Sequence, residues 1–209
     1  MKRLLHIIAT PRADESRTLK VSKDFLGAFS KKYPECKIDE LNLYTENLPS
    51  LTIEAVAGKY VLLGGGELAE ELKAAWVPIV QHVERFLSAD TYLITTPMWN
   101  FSTPYPLKQY IDLIVQPKYL FRYTDKGVEG LAKNKRMVVI SSRGGDYSPQ
   151  SPFHTYDFQE PYLRAIFGFV GITDIAFINA QPMDASGQEV QNKKIEEAKM
   201  LARNIAESF

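Results

Sequence analysis

Short apolar runs alternate along this chain with longer stretches whose apolar residues recur at helical spacing. The short runs are rich in β-branched and aromatic side chains and end at proline, glycine or polar residues, which is typical of buried strands. Five such strands are predicted, over residues 4–9, 36–43, 91–96, 137–142 and 175–178. Because these runs are apolar on both faces, a parallel sheet covered on both sides is favoured.

The segments between these strands carry apolar residues three or four positions apart, which predicts amphipathic helices. Val21, Phe25 and Phe29 share one helical face, and Ser16 in front of them is a suitable N-cap. Further helices are predicted over residues 68–86, 104–115, 162–170 and 195–205. Pro78 lies inside the first of these and is expected to kink or divide it.

This alternation predicts an α/β fold with a doubly wound, five-stranded parallel sheet and helices on both faces. Residues 47–66 contain Pro49 and a run of glycines, which indicates a loop with a possible short helix. Residues 119–127 are rich in aromatics and close on an Asp-Lys-Gly turn signal, so a hairpin-like arm is expected there. Since no linker, repeat or low-complexity tract interrupts the pattern, residues 1–209 are expected to form one domain.

Composition narrows the range of partners. Lys+Arg and Asp+Glu each total 25, and no basic stripe stands out, which argues against binding to nucleic acid or to an anionic membrane. No stretch approaches the ~18 consecutive apolar residues of a membrane-spanning helix. Cys36 is the single cysteine, which excludes an intramolecular disulfide and predicts a soluble protein of the reducing cytoplasm.

Three loops directly follow predicted strands, and the first of them has the chemistry of an anion site. It offers hydroxyl groups, guanidinium groups and the free N–H groups of a helix N-terminus, a combination suited to a phosphate. The residues are Thr10, Arg12, Ser16, Arg17 and Thr18. The hydroxyl groups of Ser16 and Thr18 are equally compatible with simple helix capping.

The other two loops offer groups suited to a flat ring. Residues 97–101 supply two aromatic rings, a thioether and an amide, and the glycine pair within residues 142–147 lets backbone N–H groups approach a heterocycle edge. Loops at the carboxyl ends of parallel strands can converge on one ligand. A phosphate at one end and a polar-edged ring at the other describe a mononucleotide such as FMN, although each loop alone is compatible with a core or turn role.

Other conspicuous residues are not assigned to chemistry. The glycine triplet Gly64-Gly65-Gly66 is followed by Glu67 and other acidic residues, which would repel a phosphate. His6 lies within an apolar strand and is expected to be a packed core residue. His6, His82 and His154 are far apart in sequence, and there is no pattern for a Ser/His/Asp triad, a nucleophilic cysteine or a metal site. No residue is therefore assigned as an obligatory acid or base, and no metal is expected.

Several motifs occur in an order that resembles the FMN-dependent NADH-azoreductase family, over about residues 1–180. They are Pro97-Met98-Trp99-Asn100-Phe101, Phe121-Arg122-Tyr123-Thr124 with Gly127 and Glu129-Gly130-Leu131, Ser142-Arg143-Gly144-Gly145, and Gly168-Phe169-Val170-Gly171-Ile172-Thr173. The resemblance implies a flavodoxin-like homodimer that uses NADH or NADPH to reduce quinones and, in two cycles, azo compounds. With FMN, hydride transfer through flavin N5 is the cofactor's own chemistry, and ping-pong kinetics are expected because one flat slot cannot hold the nicotinamide and the acceptor together. Residues 51–66 match the family poorly.

The resemblance also implies which residues surround the cofactor. The phosphate would lie among Thr10, Ser16, Arg17 and Thr18. The isoalloxazine would lie along Pro97, Met98, Trp99, Asn100 and Phe101, with Ser142, Arg143, Gly144 and Gly145 at its pyrimidine edge. Position 10 is Thr where serine is common, and position 99 is Trp where tyrosine is common. Trp99 therefore leaves substrate specificity open.

An aromatic slot bounded by Trp99 and Phe121, with Tyr147 nearby, is expected to bind the flat nicotinamide and the acceptor in turn. Trp99 and Phe121 are alternatively explained as core residues. The aromatic arm at residues 119–127 predicts a homodimer, because a monomer rarely exposes so much apolar surface. Two other functions remain open, a flavodoxin-type electron carrier and a non-catalytic interaction protein on the same scaffold. Zero net charge and the arm count against the carrier.

Overall fold

The computed structural model describes residues 3–185 and 187–209, which are organised around one parallel sheet. Its strands are β1 (Arg3–Ile8), β2 (Lys37–Asn42), β3 (Thr91–Pro97), β6 (Arg136–Ser142) and β7 (Asp174–Ala180). They pair in the order β2-β1-β3-β6-β7, and every pairing is parallel. This is the flavodoxin type of doubly wound sheet, in which the strand order reverses between β1 and β3. The predicted fold class and all five predicted strands are confirmed.

Helices cover both faces of this sheet. They are α1 (Arg17–Lys32), α2 (Ile53–Leu63), α3 (Glu70–Leu87), α4 (Tyr105–Ile114), α5 (Gln159–Phe169) and α6 (Gln188–Ser208). Neighbouring strand residues point to opposite faces, so Leu4 packs in the core beneath α1 and α6, whereas Leu5 packs in the core beneath α2 to α5. The predicted N-cap of α1 is confirmed, because the Ser16 side chain accepts a hydrogen bond from the Leu19 N–H.

Two helices differ from the sequence-based expectation. Pro78 does not divide its helix, since α3 runs without a break from Glu70 to Leu87, and the alternative of a kink stays a prediction. Pro78 lacks only the N–H that would bond the Ala74 carbonyl, and burial of Trp76 and Ile79 on either side keeps the helix against the core. The helix predicted from residue 162 starts earlier, at Gln159, because the Asp157 carboxylate accepts hydrogen bonds from the first N–H groups of α5.

The region that was hardest to predict contains α2. Thr52 caps this helix by accepting a hydrogen bond from the Ala55 N–H, and Gly64 ends it. The carbonyls of Gly65 and Gly66 then accept hydrogen bonds from the Lys118 ammonium group, at 3.1 and 2.6 Å. The glycine triplet therefore offers carbonyl oxygens to a cation and serves as a helix terminus.

The arm after α4 is a two-stranded antiparallel hairpin, as the turn signal predicts. Its strands are β4 (Phe121–Thr124) and β5 (Gly127–Gly130). The arm is anchored at Gly130, where an added Cβ would lie 2.3 Å from the Gly171 nitrogen, so only glycine permits this approach to the end of α5.

Gly58 sets the packing of α2 on α3 and provides a test of this contact. Its Cβ would lie 2.1 Å from Nε1 of Trp76, the atom that donates to the Ala55 carbonyl. Gly58→Ala is therefore expected to lower the free energy of unfolding by about 1–3 kcal/mol, as overpacking usually does. Gly27→Ala is the matched control, because Gly27 lies inside α1 with nothing near its Cβ, and it should raise stability by about 1 kcal/mol. Urea titrations that find equal effects for both variants would contradict this account.

Candidate active site

A cleft opens at the carboxyl edge of the sheet, where β1, β3, β6 and β7 end. The residues that line it come from four loops: Thr10, Arg12, Ser16, Arg17, Thr18, Pro97, Met98, Trp99, Ser142, Arg143, Gly144, Met183 and Asp184. Most of the predicted site residues are thus brought together in one cleft. Asn100, Phe101 and Gly145 are their immediate neighbours in the chain, but they do not line it. Met183 and Asp184 follow β7 and were not predicted.

One end of the cleft is built from hydroxyl groups and a helix N-terminus. Thr10, Ser16 and Thr18 are all buried, and the Ser16 and Thr18 hydroxyl oxygens lie 2.9 Å apart. Both stand at the start of α1, whose first N–H groups have no partners within the helix and whose dipole favours negative charge. This end of the cleft can bind an anion.

Arg17 lies at the same end and already has a carboxylate partner. Its Nη1 is 2.7 Å from Oδ1 of Asp184, and its Nη2 is 3.4 Å from Oε1 of Gln191. The Arg17 side chain is 24% exposed, whereas that of Asp184 is 69% exposed. The guanidinium group is therefore held at the cleft, and its acidic partner lies between the cleft and solvent.

The aromatic loop after β3 contains a tight turn of unusual conformation. Trp99 and Ser102 exchange two backbone hydrogen bonds, of 3.0 and 2.9 Å, across the two residues between them. Those residues, Asn100 and Phe101, have φ values of 47° and 69°, as a type I′ turn requires. Left-handed backbone is uncommon for asparagine and rare for a bulky residue such as phenylalanine. The turn displays the Trp99 and Phe101 rings, which are 38% and 44% exposed.

The start of α5 holds this turn in place. Gln159 is fully buried, and its amide nitrogen donates to the Pro97 carbonyl at 2.8 Å, while its amide oxygen accepts from the Ser141 hydroxyl at 2.6 Å. The Phe158 N–H also donates to the carbonyl of Phe101 at 3.0 Å. Gln159 thereby connects the ends of β3 and β6, the two strands that present the aromatic loop and the glycine turn.

Arg143 is buried at the base of the glycine turn. Its side chain is 1% exposed, and its Nη1 donates to Oδ2 of Asp157 at 2.7 Å. Nη2 lies 3.7 Å from Oε2 of Glu160, and neither Nε nor Nη2 has a hydrogen-bond partner among the residues that the structure describes. A buried donor without a partner is costly, so these atoms are suited to a polar group of a ligand that enters the cleft.

An aromatic rim lies at the mouth of the cleft, and its Trp99, Phe101, Tyr105 and Tyr156 rings are exposed. The Tyr44 ring lies 6.5 Å from Trp99 and 6.4 Å from Tyr105, and on the other side Phe101 lies 5.3 Å from Tyr156 and 6.3 Å from Tyr147. Tyr147 therefore lies beside the aromatic loop, in the neighbourhood that the sequence predicts for it. Tyr44, Tyr105 and Tyr156 were missed.

Phe121 is not brought to this rim. It is 5% exposed and its ring packs against Phe169 at 4.8 Å, in the core beneath α5. The slot predicted between Trp99 and Phe121 is not formed within the chain, because the first residue of β4 points inward. The exposed rings at the mouth of the cleft are those of Trp99, Phe101, Tyr105 and Tyr156, and Trp99 also lines the cleft.

The histidines do not contribute an acid or base to the cleft. His6 is buried in β1 with its Nε2 2.8 Å from the Thr95 hydroxyl, and burial lowers the pKa of His6 to about 4. The Glu40 carboxylate, 3.7 Å from Nδ1, is 64% exposed and too well solvated to offset that burial. His6 is therefore a neutral core residue at pH 7. Within residues 3–185 and 187–209, no three His, Cys, Asp or Glu side chains form a cluster that could hold a metal, and no helix could cross a bilayer.

Comparison with known proteins identifies the family. A family model described as a flavodoxin-like fold matches residues 2–204. An FMN-dependent NADH:quinone oxidoreductase of Nitratidesulfovibrio vulgaris is 37% identical over the whole of both chains. The chain belongs to the family of FMN-dependent NADH:quinone oxidoreductases. FMN-dependent NADH:quinone oxidoreductase 2 of Clostridium acetobutylicum is 39% identical, over 98% of this chain and all of that protein.

Solved structures of family members have the same fold. An azoreductase from Bacillus anthracis superposes with a TM-score of 0.90 at 27% identity, and the match covers all of both chains. An FMN-dependent NADH-azoreductase from the same species, in complex with FMN, superposes with a TM-score of 0.84 at 31% identity, over 99% of this chain and all of that one. The resemblance seen in the sequence motifs is confirmed.

Proposed function

We propose that this protein is an FMN-dependent oxidoreductase that uses NADH or NADPH to reduce quinones and, in two cycles, azo compounds. The observation that carries the proposal is the cleft, which joins an anion-binding helix N-terminus to a displayed aromatic turn across neighbouring strand ends. The names of the relatives, each an NADH:quinone oxidoreductase or azoreductase, support the same activity. A pure electron carrier is not favoured, because it would have no use for an aromatic rim that can stack flat substrates.

The residues present fit FMN. Ser16, Thr18 and Arg17, with the first N–H groups of α1 and Thr10, supply the donors that a phosphate needs. Nε of Arg143 is a buried donor without a hydrogen-bond partner in the described chain, and a ligand with a carbonyl oxygen would satisfy it, whereas Nη2 already faces the Glu160 carboxylate at 3.7 Å. Residues 97–101 would lie along the ring, with the backbone of Ser142, Gly144 and Gly145 at its polar edge. These assignments are proposals that rest on the shape and donors of the cleft.

The chain's own contribution is positioning. When bound, FMN accepts and donates hydride at N5, which is the cofactor's own chemistry. Trp99 and Phe101 offer exposed ring faces against which a nicotinamide or a quinone can stack. Gln159 and the backbone of Phe158 fix the turn that carries those rings, so that the geometry is set before a substrate arrives. No side chain is assigned to proton transfer, and solvent water is the proposed proton source.

Steady-state kinetics test this activity. We propose that flat ligands stack at Trp99, the exposed ring that lines the cleft, and that the oxidised nicotinamide has to leave this place before the acceptor enters. Initial rates measured while NADH and a quinone are varied together are expected to give parallel double-reciprocal plots. Intersecting plots would show both ligands bound at once and contradict the single place. Purified protein that shows no flavin absorbance and no turnover with NADH would contradict the proposed function itself.

A homodimer is proposed from the apolar outer face of α2. Ala55 and Leu62 of this helix are buried, yet Ile53 is 85% exposed and Tyr60 is 70% exposed on its other side. Tyr123 on the arm is 64% exposed as well. Large apolar side chains grouped on one helix face indicate an interface.

We also propose that residues 1–209 form a single domain. The single free cysteine supports the cytoplasm as the compartment of the protein.

Sedimentation at micromolar concentration tests the dimer. The wild-type protein is expected at twice the 23.7 kDa mass of one chain. Tyr60→Glu should shift it to the monomer, because a charge would be buried without a partner in the interface. Val190→Glu on α6 is the matched control, since Val190 is also exposed but lies outside this surface, and it should leave the mass unchanged. A monomeric wild-type protein would contradict the proposal.

A further inference from the structure

Asp184 is an acidic residue in a cleft whose other charged groups suit an anion. It follows β7 and lies in the cleft beside the start of α1, with its Oδ1 2.7 Å from Nη1 of Arg17. Its Oδ2 also lies against the glycine turn, because a Cβ added to Gly144 would be 3.0 Å from that oxygen. The carboxylate therefore lies beside the donors that would surround a phosphate.

The segment that carries Asp184 is held by its backbone. The N–H groups of Met183, Asp184 and Ala185 all donate to the Gly144 carbonyl, at 3.1, 2.9 and 3.1 Å. Three donors on one carbonyl fix the position of this segment relative to the glycine turn. The backbone of Asp184 thus stays near Arg17, so its carboxylate can leave the guanidinium group only by rotation of the Asp184 side chain.

Two anions compete for one guanidinium group in this arrangement. Arg17 is the first residue of α1 and lines the cleft together with Arg12, and a guanidinium group binds carboxylate and phosphate with the same pair of donors. A phosphate that binds Arg17 has to displace the Asp184 carboxylate or accept a like charge beside it. The repulsion is moderate, because Asp184 is 69% exposed and solvent screens it.

We propose that Asp184 competes with the FMN phosphate for Arg17 and lowers the affinity of the protein for FMN. This inference rests on the proposed function, since it takes FMN as the ligand of the cleft. Asp184 is a residue that tunes cofactor affinity, and it takes no part in hydride transfer. FMN is consequently held less tightly than the donors of the cleft allow, and it exchanges more readily with free flavin.

The test compares Asp184→Asn with wild type by dilution of the purified holoprotein, with the fluorescence of released flavin as the signal. Asp184→Asn is expected to lower the Kd for FMN about fivefold, which corresponds to about 1 kcal/mol. Riboflavin has no phosphate, so its Kd, measured after exchange, should change less than about twofold. Asp14→Asn is the matched control. Asp14 is also an exposed acidic residue near the start of α1, but it pairs with Lys23 and not with Arg17.

The two ligands and the salt dependence distinguish a competing carboxylate from a supporting one. A Kd for FMN that is unchanged or raised in Asp184→Asn would overturn the proposal and make the carboxylate a support for Arg17. Equal tightening of FMN and riboflavin would also overturn it, because the effect would then not involve the phosphate. Added salt should shrink the difference between wild type and Asp184→Asn. Wild-type protein that retains no FMN would remove the proposed function, and this inference with it.

Discussion

Replacing Ser16 and Thr18 together by alanine is expected to weaken FMN binding by at least about a hundredfold. Both hydroxyl groups are buried at the anion end of the cleft and lie within hydrogen-bond distance of each other. A hydrogen bond to a charged group contributes about 1.5–3 kcal/mol. The loss of two such bonds is therefore worth about 3 kcal/mol or more, and about 1.4 kcal/mol corresponds to a factor of ten. Fluorescence titration with FMN gives the affinity directly.

The double variant also loses the N-cap of α1, so stability has to be controlled. Loss of this cap alone should lower the free energy of unfolding by about 1 kcal/mol. Thr52→Ala is the matched control, because Thr52 caps α2 through the same kind of bond but lies outside the cleft. It should cost similar stability and leave FMN affinity unchanged. Unaltered FMN affinity in the Ser16/Thr18 variant would place the phosphate elsewhere.

Asp157→Ala is expected to lower the free energy of unfolding by about 3–5 kcal/mol. The substitution leaves the buried guanidinium of Arg143 without its 2.7 Å partner, and breaking a buried ion pair from one side costs this much. It also removes the carboxylate oxygen that accepts from the N–H groups of Gln159 and Glu160 at the start of α5. Urea denaturation of the purified variant measures the change.

An exposed arginine–aspartate pair between β6 and β7 provides the control. Arg136 and Asp174 are also 2.7 Å apart, but their side chains are 38% and 58% exposed at the opposite edge of the sheet. Asp174→Ala should cost no more than about 1 kcal/mol. If Asp157→Ala does not accumulate as folded protein, Asp157→Asn keeps the cap and removes the charge, and a smaller loss is expected. Equal losses in the free energy of unfolding for the Asp157 and Asp174 variants would contradict the claim that burial makes the Arg143–Asp157 pair more costly to break.

Local patterns were sufficient to predict the sheet and most helices. β1 is a nearly continuous apolar run, β3 is rich in β-branched and aromatic residues, and α1 has a clear apolar stripe after a good cap, so each segment specifies its own structure. α2 was only partly recognised, because it is apolar on both sides and glycines lie within it and after it. Pro78 was misleading, since a lost hydrogen bond is visible in the sequence whereas the compensating burial of Trp76 is not.

One rule predicts which candidate residues come together in the cleft: loops at the carboxyl ends of neighbouring parallel strands converge. The same rule applied to the end of β7 would have identified Asp184, because that strand adjoins β6. Tyr44 and Tyr156 were out of reach, because their meeting with Trp99 and Phe101 depends on loop paths that no local pattern encodes. For Phe121 the sequence led to a false prediction. It was taken for a binding residue because it lies in a family motif, but its side chain is buried in the core.

The left-handed turn at Asn100 and Phe101 implies a conflict between the stability of the protein and the activity proposed for it. Glycine adopts such φ values without steric cost, whereas a residue with a side chain there costs of order 1 kcal/mol or more. Glycine at position 101 would relieve the strain and would remove a ring from the mouth of the cleft. With the role proposed for the Phe101 ring, selection for a more stable protein and selection for a faster enzyme favour different residues at this position.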